Sequence, residues 1–190
     1  PLSSSSAASD VYKRQALTLT ACGTTEEAST GAGATPAGEQ ITLTDGTGAE
    51  VTLDGPATKV VGTEWNVVEN LVSLGVDPVG VADVAGYSAW SSAVPLVNEP
   101  ADIGTRGEPS VETIASLAPD LIVATTDLPA DAITQLKAIA PVLQVNSADG
   151  SKQIQQSEDN LELIAKATGT EDQATKVIDA TSTWTYYATP

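Results

Sequence analysis

Ser110-Val111-Glu112-Thr113-Ile114-Ala115-Ser116-Leu117-Ala118-Pro119-Asp120-Leu121-Ile122-Val123-Ala124 carries the pattern that decides the fold. Ser110 is a residue type whose hydroxyl caps a helix N-terminus, and Glu112 suits a first turn, where the helix dipole favours negative charge. The segment therefore predicts a helix from Ser110 through Leu117. Pro119 ends it, because proline lacks an N–H and its ring clashes with helical backbone before it. Beyond the proline, Leu121 to Ala124 is a short run with no polar alternation, which marks a strand covered on both faces.

The same unit recurs on either side. Glu64 to Leu74 places Val67, Val68, Leu71, Val72 and Leu74 at helical spacing and closes at Gly75; Asp77-Pro78 then leads into Val79-Gly80-Val81-Ala82. Ala130 to Ile139 predicts another helix, and Pro141 leads into Val142-Leu143-Gln144-Val145. Lys59-Val60-Val61-Gly62 is a further short apolar strand. Helices alternating with wholly apolar strands imply βαβ units, hence an α/β fold: a three-layer, Rossmann-like lobe with a mostly parallel sheet. Ahead of it, Ile41 to Thr44 and Glu50 to Asp54 alternate apolar and polar residues around Asp45-Gly46-Thr47-Gly48, a β-hairpin signature.

Past Asn146 the alternation stops. Lys152 to Thr168 is an amphipathic helix bearing Ile154, Leu161, Leu163, Ile164 and Ala167, ended by Gly169. Thr170-Glu171-Asp172-Gln173 is similar to a capping pattern for a second helix running past Ile178. The chain ends at Trp184-Thr185-Tyr186-Tyr187-Ala188-Thr189-Pro190, as though cut within that helix.

Composition narrows the chemistry. The 190 residues include 8 Lys+Arg against 25 Asp+Glu, a formal net charge of -17. Nucleic acid and polybasic adsorption to anionic lipid both need clustered cations, so neither is expected as a partner. Histidine is absent, which removes the commonest general base and zinc ligand. No GxGxxG follows a strand, and GxxxxGK[ST] and GxSxG do not occur. An enzyme is not expected. No run reaches the ~18 apolar residues that span a bilayer.

Cys22 is the single cysteine. It follows Leu19-Thr20-Ala21 and precedes Gly23, a stretch that resembles the lipobox of bacterial lipoproteins, whose cysteine is lipidated. The next residues, GTTEEASTGAGATPAGEQ, have the small, polar composition of a tether. The expected organisation is foreign sequence or a signal remnant over 1–15, which resembles a translated sequencing adapter, then a signal-peptide end and lipobox over 16–22. A flexible tether over 23–40, an N-terminal ligand-binding lobe over 41–169 and a truncated helix over 170–190 complete it.

Four motifs in order carry a family resemblance: Val60-Val61-Gly62-Thr63-Glu64-Trp65-Asn66, Gly75-Val76-Asp77-Pro78-Val79-Gly80-Val81, Gly104-Thr105-Arg106-Gly107-Glu108-Pro109-Ser110-Val111-Glu112 and Leu117-Ala118-Pro119-Asp120-Leu121-Ile122. From about Ile41 to Asp179 the chain resembles the N-terminal lobe of iron-siderophore ABC-transporter substrate-binding lipoproteins, whose two lobes are joined by one rigid helix. The resemblance implies that the helix near Thr170 begins that connection and that the second lobe is missing. It also implies a monomeric, extracytoplasmic receptor, lipid-anchored to the cell membrane and serving an ABC permease with its ATPase. The cargo would be a ferric siderophore, with no resident cofactor or metal site.

Arg106 is the only Lys or Arg between Lys59 and Lys137. Its planar fork suits chelate oxygens, and the resemblance places a ligand-contacting arginine here; an ion pair with Glu108 is the plainer alternative. Trp65, Tyr87 and Trp90 fall at expected loop or strand-end positions, where rings can stack on a chelate. Thr126 and Asp127 are candidates by position after a strand. Glu112 matches the family's permease-docking glutamate, or simply complements a helix dipole. Cobalamin or haem remain alternative cargoes, haem through Tyr87 or another tyrosine as iron ligand; a surface protein without a small ligand is a third reading.

Overall fold

The computed structural model describes residues 39–188 apart from Asp149. The expected signal remnant, the lipobox at Cys22 and nearly all of the tether lie outside the described residues. The elements are β1 (Ile41–Thr44), β2 (Glu50–Leu53), β3 (Val60–Gly62), α1 (Trp65–Ser73), β4 (Gly80–Val81), α2 (Val84–Trp90) and β5 (Ala101–Asp102). They continue with α3 (Val111–Leu117), β6 (Leu121–Thr125), α4 (Ala130–Lys137), β7 (Val142–Val145), α5 (Gln153–Thr168) and α6 (Glu171–Ala188).

Strands β3 to β7 form one sheet in the order β5-β4-β3-β6-β7, every pairing parallel. The strands divide their apolar side chains between two faces. Val60, Leu121, Val123, Leu143 and Val145 pack with Val67 and Leu71 of α1 and Leu161 and Ile164 of α5. Their neighbours Val61, Ile122, Ala124 and Val142 pack with Ile114 of α3 and Ile133 and Leu136 of α4. This is why the strands read as unbroken apolar runs, and the three-layer α/β lobe expected from them is the fold. The helices close tightly on the sheet: a Cβ at Gly80 would stand 2.7 Å from Leu117 Cδ1 and 2.9 Å from Ile103 Cγ2.

The hairpin forms with Ile41 opposite Leu53 and Thr44 opposite Glu50. Val51 and Leu53 turn inward to the face shared with α5. In its turn, Asp45 accepts hydrogen bonds from the Thr47 and Ala49 N–H groups and the Thr47 hydroxyl. Burial works to raise the Asp45 pKa, but those donors outweigh it and hold the carboxyl below its ordinary range. At the amino edge of the sheet, the Asp120 carboxylate accepts from Thr58 N–H and hydroxyl (2.9 Å each) and from Lys59 N–H (2.8 Å). The Pro-Asp motif thus ties the start of β6 to the start of its neighbour β3.

Two elements were not expected. Residues 84–90 form α2 rather than a loop, and Ala101–Asp102 adds β5 at the sheet edge. Both are short, and Gly86 interrupts any apolar rhythm in α2. The second long helix does begin where expected, but the Thr170 hydroxyl pairs with that of Thr168. The Thr170 carbonyl accepts the N–H groups of Gln173 and Ala174. Ala174 is buried, and Val177 and Ile178 pack on the same core, so α6 starts out seated on the lobe. Among the described residues no helix is long and apolar enough to cross a membrane.

Candidate functional site

The chain runs from β3 outward through β4 and β5, then returns to the other side of β3 with β6 and β7. The order therefore reverses between β3 and β6. In open parallel sheets ligands lodge outside the carboxyl ends of the strands, at such a reversal. Thr63 to Trp65, Ala82-Asp83 and Ile103 to Arg106 lie on one half of that edge; Thr126-Asp127 and Asn146-Ser147 lie on the other.

On the first half, Arg106 sits in a tight turn closed by Glu108 N–H donating to Thr105 O (3.2 Å), with a bridge between Gly104 and Pro109 behind it. Gly104 has φ 94, the left-handed region that glycine adopts without a Cβ penalty. The neighbouring loop braces this one: Asp83 N–H donates to Gly104 O (2.8 Å). Asp102 accepts from Gly104 N–H and Val84 N–H. Arg106 Nη1 donates to Glu64 Oε1 at 2.7 Å, and its guanidinium carbon lies 4.1 Å from the Trp65 ring centroid. Its side chain is still 45% exposed, so the fork is aimed but not consumed.

The plainer alternative named Glu108 as the ion-pair partner; the partner is Glu64, 42 positions away. Sheet order explains this, because β4 brings the ends of β3 and β5 within reach of one another. Sequence reasoning missed Glu64 as a site residue, since nothing local to Arg106 points to it. Glu64 also caps α1 by accepting the Trp65 N–H (3.0 Å). Trp65, first residue of α1, donates its indole N–H to Ala82 O (3.2 Å), which fixes the plane beneath Arg106. Gly86 makes room: a Cβ there would stand 2.5 Å from Trp65 Cζ2.

The other two aromatics part company. Trp90 ends α2 with 79% of its surface exposed. Tyr87, expected in a loop with its ring available to cargo, is fully buried inside α2 among Val68 and Val81. Its hydroxyl donates to Val94 O at 2.6 Å. This corrects the ligand-binding reading of Tyr87 and the notion of it as a haem-iron ligand: the helix turns it into the core and its oxygen is engaged.

On the second half, the hydroxyls of Thr126 and Ser147 pair at 3.2 Å, and each also accepts a backbone N–H across the gap, from Ser147 and Asp127 respectively. The Asp127 carboxylate takes the Thr125 hydroxyl. That bond holds its pKa below the ordinary range, with burial opposing it and Ser147 helping. Beneath them Asn160 of α5, buried, clasps the Asn146 backbone by accepting its N–H (3.1 Å) and donating to its carbonyl (2.8 Å). An open groove of about 540 Å³ runs beside this lip, lined in part by Thr126, Asp127, Ser147 and Lys152. Glu112 stands apart, exposed in the first turn of α3, whose cap is the Ser110 hydroxyl accepting Thr113 N–H. The structure thus brings Arg106 and Trp65 together, adds Glu64 to them, and puts Thr126 and Asp127 in a separate network.

The lobe thus presents, at the carboxyl edge of its sheet, an arginine stacked on a tryptophan and still partly exposed. Residues 60–182 match the family described as periplasmic binding protein, and the chain belongs to that family of solute-binding proteins. The Fe(3+)-citrate-binding protein YfmC of Bacillus subtilis is 33% identical over 124 residues, covering 65% of this chain and 39% of that one. The iron(3+)-hydroxamate-binding protein FhuD of Escherichia coli is 33% identical over 107 residues, 56% of this chain and 36% of that one. Among solved structures, the Fe3+-Desferal-bound siderophore-binding protein FhuD of Vibrio cholerae matches with a TM-score of 0.60 at 31% identity. That match covers 65% of this chain and 46% of the other. The chain spans half the length or less of the curated relatives it matches.

Proposed function

We propose that this protein is the extracytoplasmic solute-binding component of an ABC importer, and that its cargo is a ferric siderophore. The observation that carries the reading is the Arg106 guanidinium laid over Trp65 at the carboxyl edge, half-exposed and held in place from one side by Glu64. A ferric siderophore wraps its iron in its own oxygens, so its receptor needs no metal ligands. It needs N–H donors in a fixed plane for those oxygens and flat apolar surface for the ligand's arms. Arg106, laid on the half-buried Trp65, supplies the donors, and Trp90 supplies an exposed ring. Such a protein holds its cargo and carries out no reaction on it.

In this reading residues 41–169 form one wall of a cleft, and α6 begins the rigid helix leading to a second lobe. The protein is a monomer, held to the cell membrane through lipid on Cys22. It docks on a permease through Glu112, and an ATPase partner drives release. Glu112→Ala in the full-length protein is expected to leave cargo affinity unchanged and slow uptake; uptake at the wild-type rate would remove the docking role.

Tryptophan fluorescence of the full-length protein, titrated with ferric hydroxamate, catecholate and citrate chelates, tests the cargo. Saturable quenching by a ferric chelate is expected, because Trp65 lies against the arginine that meets it. Saturation by cobalamin or haem alone, after inner-filter correction, would move the function to that cargo and leave the fold as it is.

A further inference from the structure

We infer that Glu64 sets the charge class of the cargo: by neutralising Arg106 at the binding edge, it makes this wall select ferric chelates of zero or positive charge over triply negative ones. The inference rests on the ferric-chelate reading above and names which members of that class fit.

Glu64 Oε1 accepts from two donors, Arg106 Nη1 at 2.7 Å and Trp65 N–H at 3.0 Å. The second donor belongs to the backbone at the start of α1, so the carboxylate is fixed by the fold and does not follow Arg106 toward a ligand. Its side chain is only 25% exposed, against 45% for Arg106. An approaching chelate therefore meets a guanidinium whose N–H groups still point outward and whose charge is already balanced. Donors recognise oxygens of any chelate; an excess of positive charge is what rewards an anionic one.

The loops around the pair do not restore that excess. Residues 63–66, 82–86 and 102–110 carry Glu64, Asp83, Asp102 and Glu108, with Arg106 their single cation. Asp83 and Asp102 are held there by the N–H groups of Gly86, Gly104 and Val84. The half of the edge that offers donors is thus net negative. In a ferric tris-hydroxamate three singly charged groups balance the iron, and desferrioxamine B adds an ammonium. A ferric tris-catecholate retains three negative charges. The first kind keeps the arginine's hydrogen bonds without repulsion, and the second is opposed by every fixed carboxylate nearby.

The test is calorimetric titration of the full-length protein, wild type and Glu64→Gln, with ferric desferrioxamine B and ferric enterobactin. Glutamine keeps an oxygen for Trp65 N–H and Arg106 while removing the charge. Wild type should bind the hydroxamate at least tenfold tighter, and raising the salt should narrow the gap by screening repulsion. Glu64→Gln should narrow it about tenfold, the effect of one charge on a trianion ~8 Å away in a water-like dielectric. It should do so by strengthening the catecholate relative to the hydroxamate, any change in how Arg106 is held being common to both ligands and cancelling from their ratio. Equal weakening of both ligands by Glu64→Gln would make Glu64 only a support for Arg106 and overturn the inference. A wild-type preference for the catecholate would also overturn it, with the receptor reading intact. Binding of no ferric chelate, citrate included, would instead remove the reading on which it rests.

Discussion

On the β3–β4–β5 half of the sheet's carboxyl edge, Arg106 gives Nη1 to Glu64 and lies on Trp65, yet its side chain stays 45% exposed. On the β6–β7 half, Thr126, Asp127 and Ser147 spend their hydroxyls and N–H groups on one another, and the Asp127 carboxylate takes the Thr125 hydroxyl. Both halves place polar side chains after apolar strands, so position at a strand end does not separate them. Partnership does. The first half holds a donor group rigidly with capacity to spare, whereas the second closes a gap between adjacent strand ends. On the proposed reading the first serves as the binding surface and the second as a seam.

The largest expected effect comes from that contrast. Arg106→Ala in the full-length protein should weaken binding of its ferric chelate about a hundredfold, the scale of a central arginine contact that donates charge-assisted hydrogen bonds. Thr126→Val should change affinity by less than about threefold, because that hydroxyl already serves Ser147. Titration of both variants checks the pair of outcomes, and equal losses would erase the distinction between surface and seam.

The seam should show itself in stability instead. Asn160→Ala removes both hydrogen bonds that hold the Asn146 backbone, one donated and one accepted, beneath a buried side chain. A loss of about 2 kcal/mol in chemical denaturation is expected, since a backbone donor and acceptor are left to find new partners. Ligand affinity should move little. An Asn160→Ala protein of unchanged stability would mean that the β7 end is held by its neighbours alone.

How far these halves were legible from sequence differs in the same way. The sheet was readable because Leu121-Ile122-Val123-Ala124 and Val142 to Val145 are buried on both sides, which leaves that run of β6 without a polar position and leaves Gln144 as the one polar residue in β7. Arg106 and Trp65 stood out as a lone cation and a scarce ring. Their contact did not, because it depends on β4 lying between β3 and β5, and β5 is a two-residue strand with no apolar run to announce it. Tyr87 was misplaced for a related reason. The helix holding it has only seven residues and contains Gly86, so no periodicity marks it, although Asp83 caps it by accepting the Gly86 N–H from an unusual φ of 52. The Asn160 clasp did leave a trace: a polar residue on the stripe that carries Leu161 and Ile164 of α5.

The smallest effect sharpens the comparison from beneath the first half. Tyr87 supports α2, whose Gly86 lies against Trp65, but its ring does not reach the edge. Tyr87→Phe should therefore leave chelate affinity within about twofold and lower stability by about 1 kcal/mol, the net worth of the hydroxyl's bond to Val94 O. Burial, with the Glu69 carboxylate adding to it, pushes the phenol up to about 12. A raised folded-state value means that its contribution is fully present below the ordinary tyrosine value of about 10 and is lost as pH rises through the folded one. The stability gap between wild type and Tyr87→Phe should accordingly hold steady through neutral pH and shrink between about pH 10 and 12. A Tyr87→Phe protein that instead loses affinity on the scale of Arg106→Ala would put that phenol at the cargo, and the binding surface would extend below the edge into α2.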